Sequence, residues 1–168
     1  EVIVTVVSLP DAGSDGTLSI CDDSIPVDLF NSLGGTPDSI GFWSPGLSSG
    51  TGVFNPLFDP PGIYTYTVDN GVCGITTSQV TVSIDNQSNP GENGRLSICS
   101  NDSPVDLFNS LGGNPDVGGV WSPALSSGTG IFDPSVDPSG IYTYVIDSGA
   151  CGSIGAQVVV DVFDSSVK

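Results

Sequence analysis

Residues 59–69 read DPPGIYTYTVD, and residues 137–147 read DPSGIYTYVID. After the glycine of each copy, apolar and polar residues alternate, which predicts a half-buried β-strand with both tyrosines on its inner face. A tight-hairpin signal follows each strand, Asn70-Gly71 in the first copy and Asp147-Ser148-Gly149 in the second. The sequence therefore predicts β structure in two copies.

The duplication extends along the whole chain at a constant offset of 78 residues, without a gap, and 43 of the 78 compared positions are identical. Trp43 matches Trp121, and Cys21 matches Cys99. A period this long, with its own cysteines and aromatic residues, indicates serial domains rather than a thin solenoid unit.

Turn signals recur every 8–12 residues, as in a small sandwich. We predict an all-β chain of two tandem, elongated, Ig-like antiparallel β-sandwiches. Residues 26–35 are the exception, because Pro26 and Gly34 are suited to the ends of a short helix, with an irregular strand as the alternative. The predicted core of the first repeat is Leu18, Ile20, Leu29, Leu33, Trp43, Phe54, Tyr64, Tyr66, Val68, Val80 and Val82.

The first residues resemble the end of each repeat, since residues 1–6, 79–84 and 157–162 are copies of one valine-rich segment. We therefore assign residues 1–8 to the closing strand of a preceding repeat, or to the first strand of repeat 1. Exchange of this strand into another molecule is a further alternative. The remaining predicted boundaries are 9–84 for repeat 1, 85–163 for repeat 2 and 164–168 for a tail.

The four cysteines occupy equivalent positions in the two repeats, and the simplest pairing is Cys21–Cys73 and Cys99–Cys151. Each bridge would close a loop of about 53 residues, worth roughly 4 kcal/mol in the chain-entropy model. Metal binding is the weaker interpretation, because the chain has no CxxC spacing and no histidine. Disulfides predict an oxidising location, which is the cell surface, the periplasm or the medium.

The net charge of −17 excludes several classes of partner. Such a surface repels nucleic acid and anionic membranes, and no apolar run approaches the roughly 20 residues of a membrane-spanning helix. No signal peptide precedes the first strand pattern, so we expect a mature or excised piece of a longer protein.

Catalysis is poorly supported, and we predict that the protein is not an enzyme. A Ser-His-Asp system cannot be built without histidine, and the only lysine is Lys168. Nearly every acid within a predicted strand is duplicated between the repeats, which fits a scaffold better than a single active site.

Calcium is the best candidate for a small ligand, although no cofactor is required. Clustered carboxylate and amide oxygens near the start of each repeat could bind Ca²⁺ and stiffen the connection, but the same residue types are simply good turn formers. The candidate ligands are Asp11, Asp15, Asp22, Asp23, Asp85, Asn89, Glu92 and Asn93.

Two further surface features have functional interpretations. Ser24 and Ser39 lie in Asp-Ser-aliphatic triplets that resemble an O-glycosylation motif of Bacteroidetes. Exposed aromatic residues could bind glycans or surfaces, but Trp43 and Trp121 have the spacing of core positions.

The acid, glycine and tyrosine that precede the central strand resemble the tyrosine corner of Ig-like sandwiches, with Tyr64 and Tyr142 as the corner residues. The whole pattern resembles the Ig-like or PKD-like repeats of large Bacteroidetes cell-surface adhesins, of the type associated with gliding motility and type IX secretion. The matching motifs are the early cysteine, Trp-Ser-Pro at 43–45 and 121–123, Gly-Ile-Tyr-Thr-Tyr at 62–66 and 140–144, and the late Cys-Gly.

This resemblance implies a secreted or cell-surface structural repeat that acts as an extended spacer, with neighbouring copies of the same repeat as its partners. One alternative is an adhesive module whose loops at 48–52 and 126–130 bind glycans or a surface. A second alternative is a subunit of a self-assembling extracellular filament, formed by strand exchange.

Overall fold

The computed structural model describes residues 2–4 and 6–164 and divides into two compact units, Glu1–Asn86 and Gln87–Lys168. Both units are built from β-strands, and the only helical segments in the described residues are short 3₁₀ turns. Each unit has a four-stranded sheet and a two-stranded sheet with a core between them. The chain is therefore all-β, with two tandem Ig-like β-sandwiches, as predicted.

Six strands lie in the described residues of unit 1. The larger sheet has the order β1-β6-β5-β3, and the smaller one pairs β2 with β4. The strands are β1 (Gly16–Cys21), β2 (Val27–Asp28), β3 (Phe42–Ser44), β4 (Val53–Phe54), β5 (Gly62–Asp69) and β6 (Ile75–Asp85).

Unit 2 repeats this plan. Its larger sheet has the order β7-β12-β11-β9, and its smaller sheet pairs β8 with β10. The strands are β7 (Gly94–Cys99), β8 (Val105–Asp106), β9 (Val120–Ser122), β10 (Ile131–Phe132), β11 (Gly140–Asp147) and β12 (Ser153–Phe163).

The first strand of each unit runs parallel to the last one, which corrects the expectation of purely antiparallel sheets. β1 lies beside β6 with Gly16 opposite Val80 and Cys21 opposite Asp85. In unit 2, β7 and β12 pair in the same way, ending with Cys99 opposite Phe163. The other pairings of both larger sheets are antiparallel.

The segment for which a helix or an irregular strand was expected contains some of each. β2 leads into a 3₁₀ turn at Leu29–Ser32, and the Asp28 carboxylate caps it by accepting a hydrogen bond from the Phe30 N–H at 3.0 Å. Leu29 is fully buried. A short turn is enough here, because its role is to bring one leucine into the core between the two sheets.

The core of unit 1 follows the alternation in the sequence. Along β5, the side chains of Tyr64, Tyr66 and Val68 point inward, and residues between them are more exposed. The rings of Phe54 and Tyr64 meet edge to face, with centroids 5.7 Å apart. Eight of the eleven predicted core residues are buried, whereas Leu18, Leu33 and Trp43 are partly buried against the core.

The valine-rich segment at the start of the chain forms no strand within residues 2–4 and 6–13. The side chains of Val2, Ile3, Val4 and Val6 are all at least 80% exposed. Glu1, Thr5 and four residues of the predicted tail, 165–168, lie outside the described residues. The described part of this segment is therefore not a first strand of unit 1, and its role as the closing strand of a preceding repeat stays a prediction.

We predict that Phe54→Ala lowers the unfolding free energy of unit 1 by about 3–5 kcal/mol, because it opens a cavity at a fully buried site. Phe58→Ala is the matched control, since this side chain is 74% exposed, and should change the free energy by less than about 0.5 kcal/mol. Urea denaturation in a Trp121→Phe background leaves Trp43 as the only tryptophan, so its fluorescence reports on unit 1. Equal effects of the two substitutions would contradict the assigned core.

Candidate functional site

In both units a groove lies beside the edge strand of the larger sheet, and we call it the aromatic groove. In unit 1 it has a volume of about 420 Å³, and in unit 2 about 540 Å³. Its unit 1 lining includes Asp28, Phe30, Phe42, Trp43, Thr51 and Tyr66. The corresponding unit 2 lining includes Asp106, Phe108, Val120, Trp121, Thr129 and Tyr144.

A cluster of three aromatic rings forms the floor of the groove. Tyr66 lies between Trp43, at a centroid distance of 5.0 Å, and Phe30, at 5.5 Å. The Tyr66 hydroxyl donates to the Asp38 carbonyl at 2.7 Å and accepts from the Gly41 N–H at 2.8 Å. Both hydroxyl contacts recur at Tyr144, so the floor is held in place in both units.

A glycine lets the loop approach the tryptophan. Gly52 has φ +92°, and a Cβ atom there would lie 2.8 Å from the Trp43 Nε1. Gly130 repeats this arrangement beside Trp121, with φ +89°. A larger residue would be strained and would press on the indole. The Trp43 and Trp121 side chains thus combine the two roles considered from the sequence, since each packs on the core and also lines a groove.

The loop beside the groove is held by a buried carboxylate, the acid of the corner motif, whose role the sequence did not predict. Asp59 is only 5% exposed and accepts hydrogen bonds from the Ser48 N–H (2.7 Å), the Ser48 hydroxyl (3.0 Å) and the Asn55 N–H (2.8 Å). Asp137 makes the equivalent three bonds in unit 2. The signal in the sequence was the recurrence of an acid five residues before each corner tyrosine.

The corner tyrosines make the hydrogen bond expected of them. The hydroxyl of Tyr64 donates to the Pro60 carbonyl at 2.8 Å, and that of Tyr142 donates to the Pro138 carbonyl at 2.8 Å. Burial, together with the negative charge of Asp59, raises the pKa of Tyr64, and burial with Asp137 does the same for Tyr142. The phenols therefore stay protonated, as donors, up to a higher pH than usual.

Most of the residues predicted to bind calcium accept hydrogen bonds through their side-chain oxygens. The carboxylates of Asp11, Asp15 and Asp85 accept from the Gly13 N–H, the Gln79 N–H and the Ser19 hydroxyl. The side-chain oxygens of Asn89 and Asn93 accept from the N–H groups of Gly91 and Gln157. Glu92 makes an isolated β-bridge with Gly112, a carboxylate oxygen of Asp22 lies 3.4 Å from the sulfur of disulfide-bonded Cys21, and Asp23 is exposed.

Within the described ranges, no three carboxylates of this set lie at the mutual distances that ligands of one ion would have. Two of the side chains, Asp11 and Asn89, accept within local turns, three others accept from distant parts of the chain, and calcium binding stays a prediction. Of the two predicted glycosylation sites, Ser39 is exposed at the rim of the aromatic groove and Ser24 is half-buried. Their modification also stays a prediction.

Each unit has two ends, which we call proximal and distal, and one of its two cysteines lies at each end. The proximal end is the hairpin between the last two strands, residues 69–75 in unit 1, and the segment that leads into the unit lies beside it, because the Asn70 amide donates to the Ser8 carbonyl at 2.6 Å. The distal end is where β6 stops, at Asp85 opposite Cys21. In unit 2, residues 147–153 form the proximal end, and Phe163 opposite Cys99 marks the distal end.

The predicted pairings Cys21–Cys73 and Cys99–Cys151 are wrong for this structure. Cys73 and Cys99 have free thiols, whereas Cys21 and Cys151 are disulfide-bonded. The parallel pairing explains why. It places the two cysteines of a unit at opposite ends of an 11-residue strand, about 33 Å apart, whereas a disulfide needs Cα atoms within about 7 Å.

Comparison with solved structures finds tandem Ig-domain proteins. An I-band fragment of titin, I67–I69, matches 95% of this chain and 67% of its own length, with 14% identity and a TM-score of 0.45. Sidekick-1 immunoglobulin domains 1–5 match over 91% of this chain and 38% of theirs, with 13% identity and a TM-score of 0.46. The insect immune protein hemolin matches 90% of this chain and 46% of its own, with 14% identity and a TM-score of 0.40.

These likenesses concern the class of fold and carry no conclusion about function. The chain spans less than half of the Sidekick-1 fragment and of hemolin. No family model and no curated protein matches the sequence. Among the described residues, no helix has the length and apolar character required to cross a membrane.

We predict that Asp59→Asn lowers the unfolding free energy of unit 1 by about 1.5–3 kcal/mol, because an amide nitrogen would replace an oxygen that accepts from N–H or O–H donors. Asp23→Asn removes the same charge at an exposed position and is the matched control. The single-tryptophan denaturation experiment described for Phe54 measures both. An Asp59→Asn variant as stable as the control would show that the buried carboxylate does not hold the loop.

Proposed function

We propose that this chain is a structural repeat segment of a secreted or cell-surface bacterial adhesin, where it acts as an extended spacer. The observation that carries the proposal is that the chain enters a unit at one end and leaves it at the opposite end. The chain passes Ser8 at the proximal end of unit 1 and leaves at Asp85, at the distal end. A unit with its connections at opposite ends adds its own length to an array, about 35 Å for an 11-residue strand.

Two further properties support a place outside the cell. Disulfide-bonded Cys21 and Cys151 fit an oxidising compartment. The net charge of −17 favours solubility and opposes non-covalent self-association. The Bacteroidetes gliding-motility class of adhesin suggested by the sequence motifs belongs to the same proposal, and no reaction chemistry is part of it.

A spacer should lengthen by a constant step when a repeat is added. We predict that a chain carrying one additional copy of residues 79–156 has a maximum dimension about 35 Å greater than the 168-residue chain, one strand length per repeat. Small-angle X-ray scattering of both proteins measures this increment, and circular dichroism checks that both are folded. An added repeat that leaves the maximum dimension unchanged would contradict the spacer function.

The aromatic groove favours a second candidate function, the binding of a glycan. Small-ligand sites are concave, with aromatic walls and a few polar groups, and the groove of unit 1 combines the faces of Phe42 and Trp43 with the Asp28 carboxylate and the Thr51 hydroxyl. Its duplication would give each repeat one site. The predicted adhesive loops at 48–52 and 126–130 contribute to the two grooves.

A glycan array probed with the 168-residue chain tests this second function. We predict that Phe42→Ser weakens binding of any captured glycan about tenfold, because it removes an exposed aromatic face from the rim. Ile63→Ser is the matched control, since its side chain is similarly exposed, 55% against 60%, and lies outside the groove. Equal losses in the two variants, or an array without any captured glycan, would discard the groove as a binding site and leave the spacer function standing.

A further inference from the structure

The proximal and distal cysteines have opposite states in the two units. Unit 1 has a free thiol at its proximal end, Cys73, and unit 2 has one at its distal end, Cys99. The residues equivalent to them, Cys151 and Cys21, are disulfide-bonded. Each type of position is thus bonded in one repeat and free in the other, so both types are able to form a disulfide.

The backbone presents the two free thiols at the ends of their units. The N–H of Cys73 donates to the Asn70 side-chain oxygen at 2.8 Å, and its thiol points to the Val7 carbonyl at 3.6 Å. Cys99 is exposed on the last residue of β7, and its N–H donates to the Asp102 carboxylate at 2.8 Å. Ordered backbone contacts therefore hold both sulfur atoms at the two ends, away from each repeat's other cysteine.

We propose that Cys99 of one copy of this chain forms a disulfide with Cys73 of a second copy, so that copies join covalently, distal end to proximal end. The inference rests on the proposed array of repeats. Both types of position form disulfides in this chain, since Cys21 is a bonded distal residue and Cys151 is a bonded proximal residue. Because 43 of 78 positions are identical, the proximal end that a second copy presents at Cys73 is of the same type as the proximal end that carries the bonded Cys151.

The bond forms by thiol–disulfide exchange with a small disulfide oxidant, such as oxidised glutathione. The thiolate of Cys99 attacks one sulfur of the oxidant, and one glutathione leaves as its thiolate. The thiolate of Cys73 from the second copy then attacks the Cys99 sulfur, and the second glutathione leaves. Two protein thiols are oxidised to one disulfide, one small disulfide is reduced to two thiols, and the protons of the cysteines pass to the departing thiolates.

A covalent bond can hold two copies together in spite of the repulsion between their negative charges. Two copies with a net charge of −17 each repel one another, so a non-covalent contact between their ends would be weakened at low salt. A disulfide does not depend on salt, and it is lost only under reducing conditions.

Complementary single variants test the pairing. Cys73→Ser keeps the distal thiol, Cys99→Ser keeps the proximal thiol, and each is incubated alone and in an equimolar mixture with a buffer of oxidised and reduced glutathione. We expect at least about tenfold more disulfide-linked dimer in the mixture than in either variant alone, read on a non-reducing gel. The unsubstituted chain should give a ladder of dimers and longer species that disappears with reductant.

Peptide mapping of the dimer by mass spectrometry should find the Cys99 peptide linked to the Cys73 peptide. The double variant Cys73→Ser/Cys99→Ser should remain monomeric. Equal amounts of dimer in either variant alone and in the mixture would overturn the proposal, because that result indicates unselective oxidation. A mixture that stays monomeric, or a map that pairs Cys73 with another cysteine of its own chain, would overturn it as well.

The outcome is separable from that of the spacer experiment. The double variant carries no linking thiol, yet it should still gain length when a copy of residues 79–156 is added to it. Normal lengthening without cross-linking would overturn only the disulfide between copies. If the added copy increased the maximum dimension of neither the unsubstituted chain nor the double variant, the spacer function itself would be overturned.

Discussion

The parallel pairing of β1 with β6, and of β7 with β12, is the constraint on which the rest of this structure depends. The segment that leads into unit 1 lies beside the proximal hairpin at Asn70, and β1 then pairs with the second half of β6, ending with Cys21 opposite Asp85. The two connections of the unit are then a full strand length apart. An antiparallel first strand would have brought the connections to one end, and an array of such units would gain little length from each repeat.

The hydrogen-bonded side chains keep the loops of each sandwich in place around this pair of strands. Asp59 gathers three donors from two loops, and Tyr64 closes the corner four residues after Pro60. All of these bonds recur in unit 2. Their repetition shows that the loops are specified as closely as the strands, which is why the same groove forms twice beside them.

Much of the fold was predictable because its signals are local. Alternation along residues 62–69 gave both the strand and its inward face, and the repeat offset transferred that interpretation to residues 140–147. The direction of β1 was not predictable in this way, since a period of two is the same in parallel and antiparallel strands. The error in the cysteine pairing follows from that ambiguity. The groove could not be predicted from the sequence either, because its lining residues come from positions as far apart as Asp28 and Tyr66.

The register of β1 and β6 has a mechanical consequence for a protein held at both connections. Tension would pull β1 toward the proximal end and β6 toward the distal end, so the two parallel strands would slide in opposite directions. Their hydrogen bonds, along six paired residues from Gly16 to Cys21, would be loaded together in shear rather than opened one at a time like a zipper. Such a clamp yields only when several bonds break at once, and each repeat carries one.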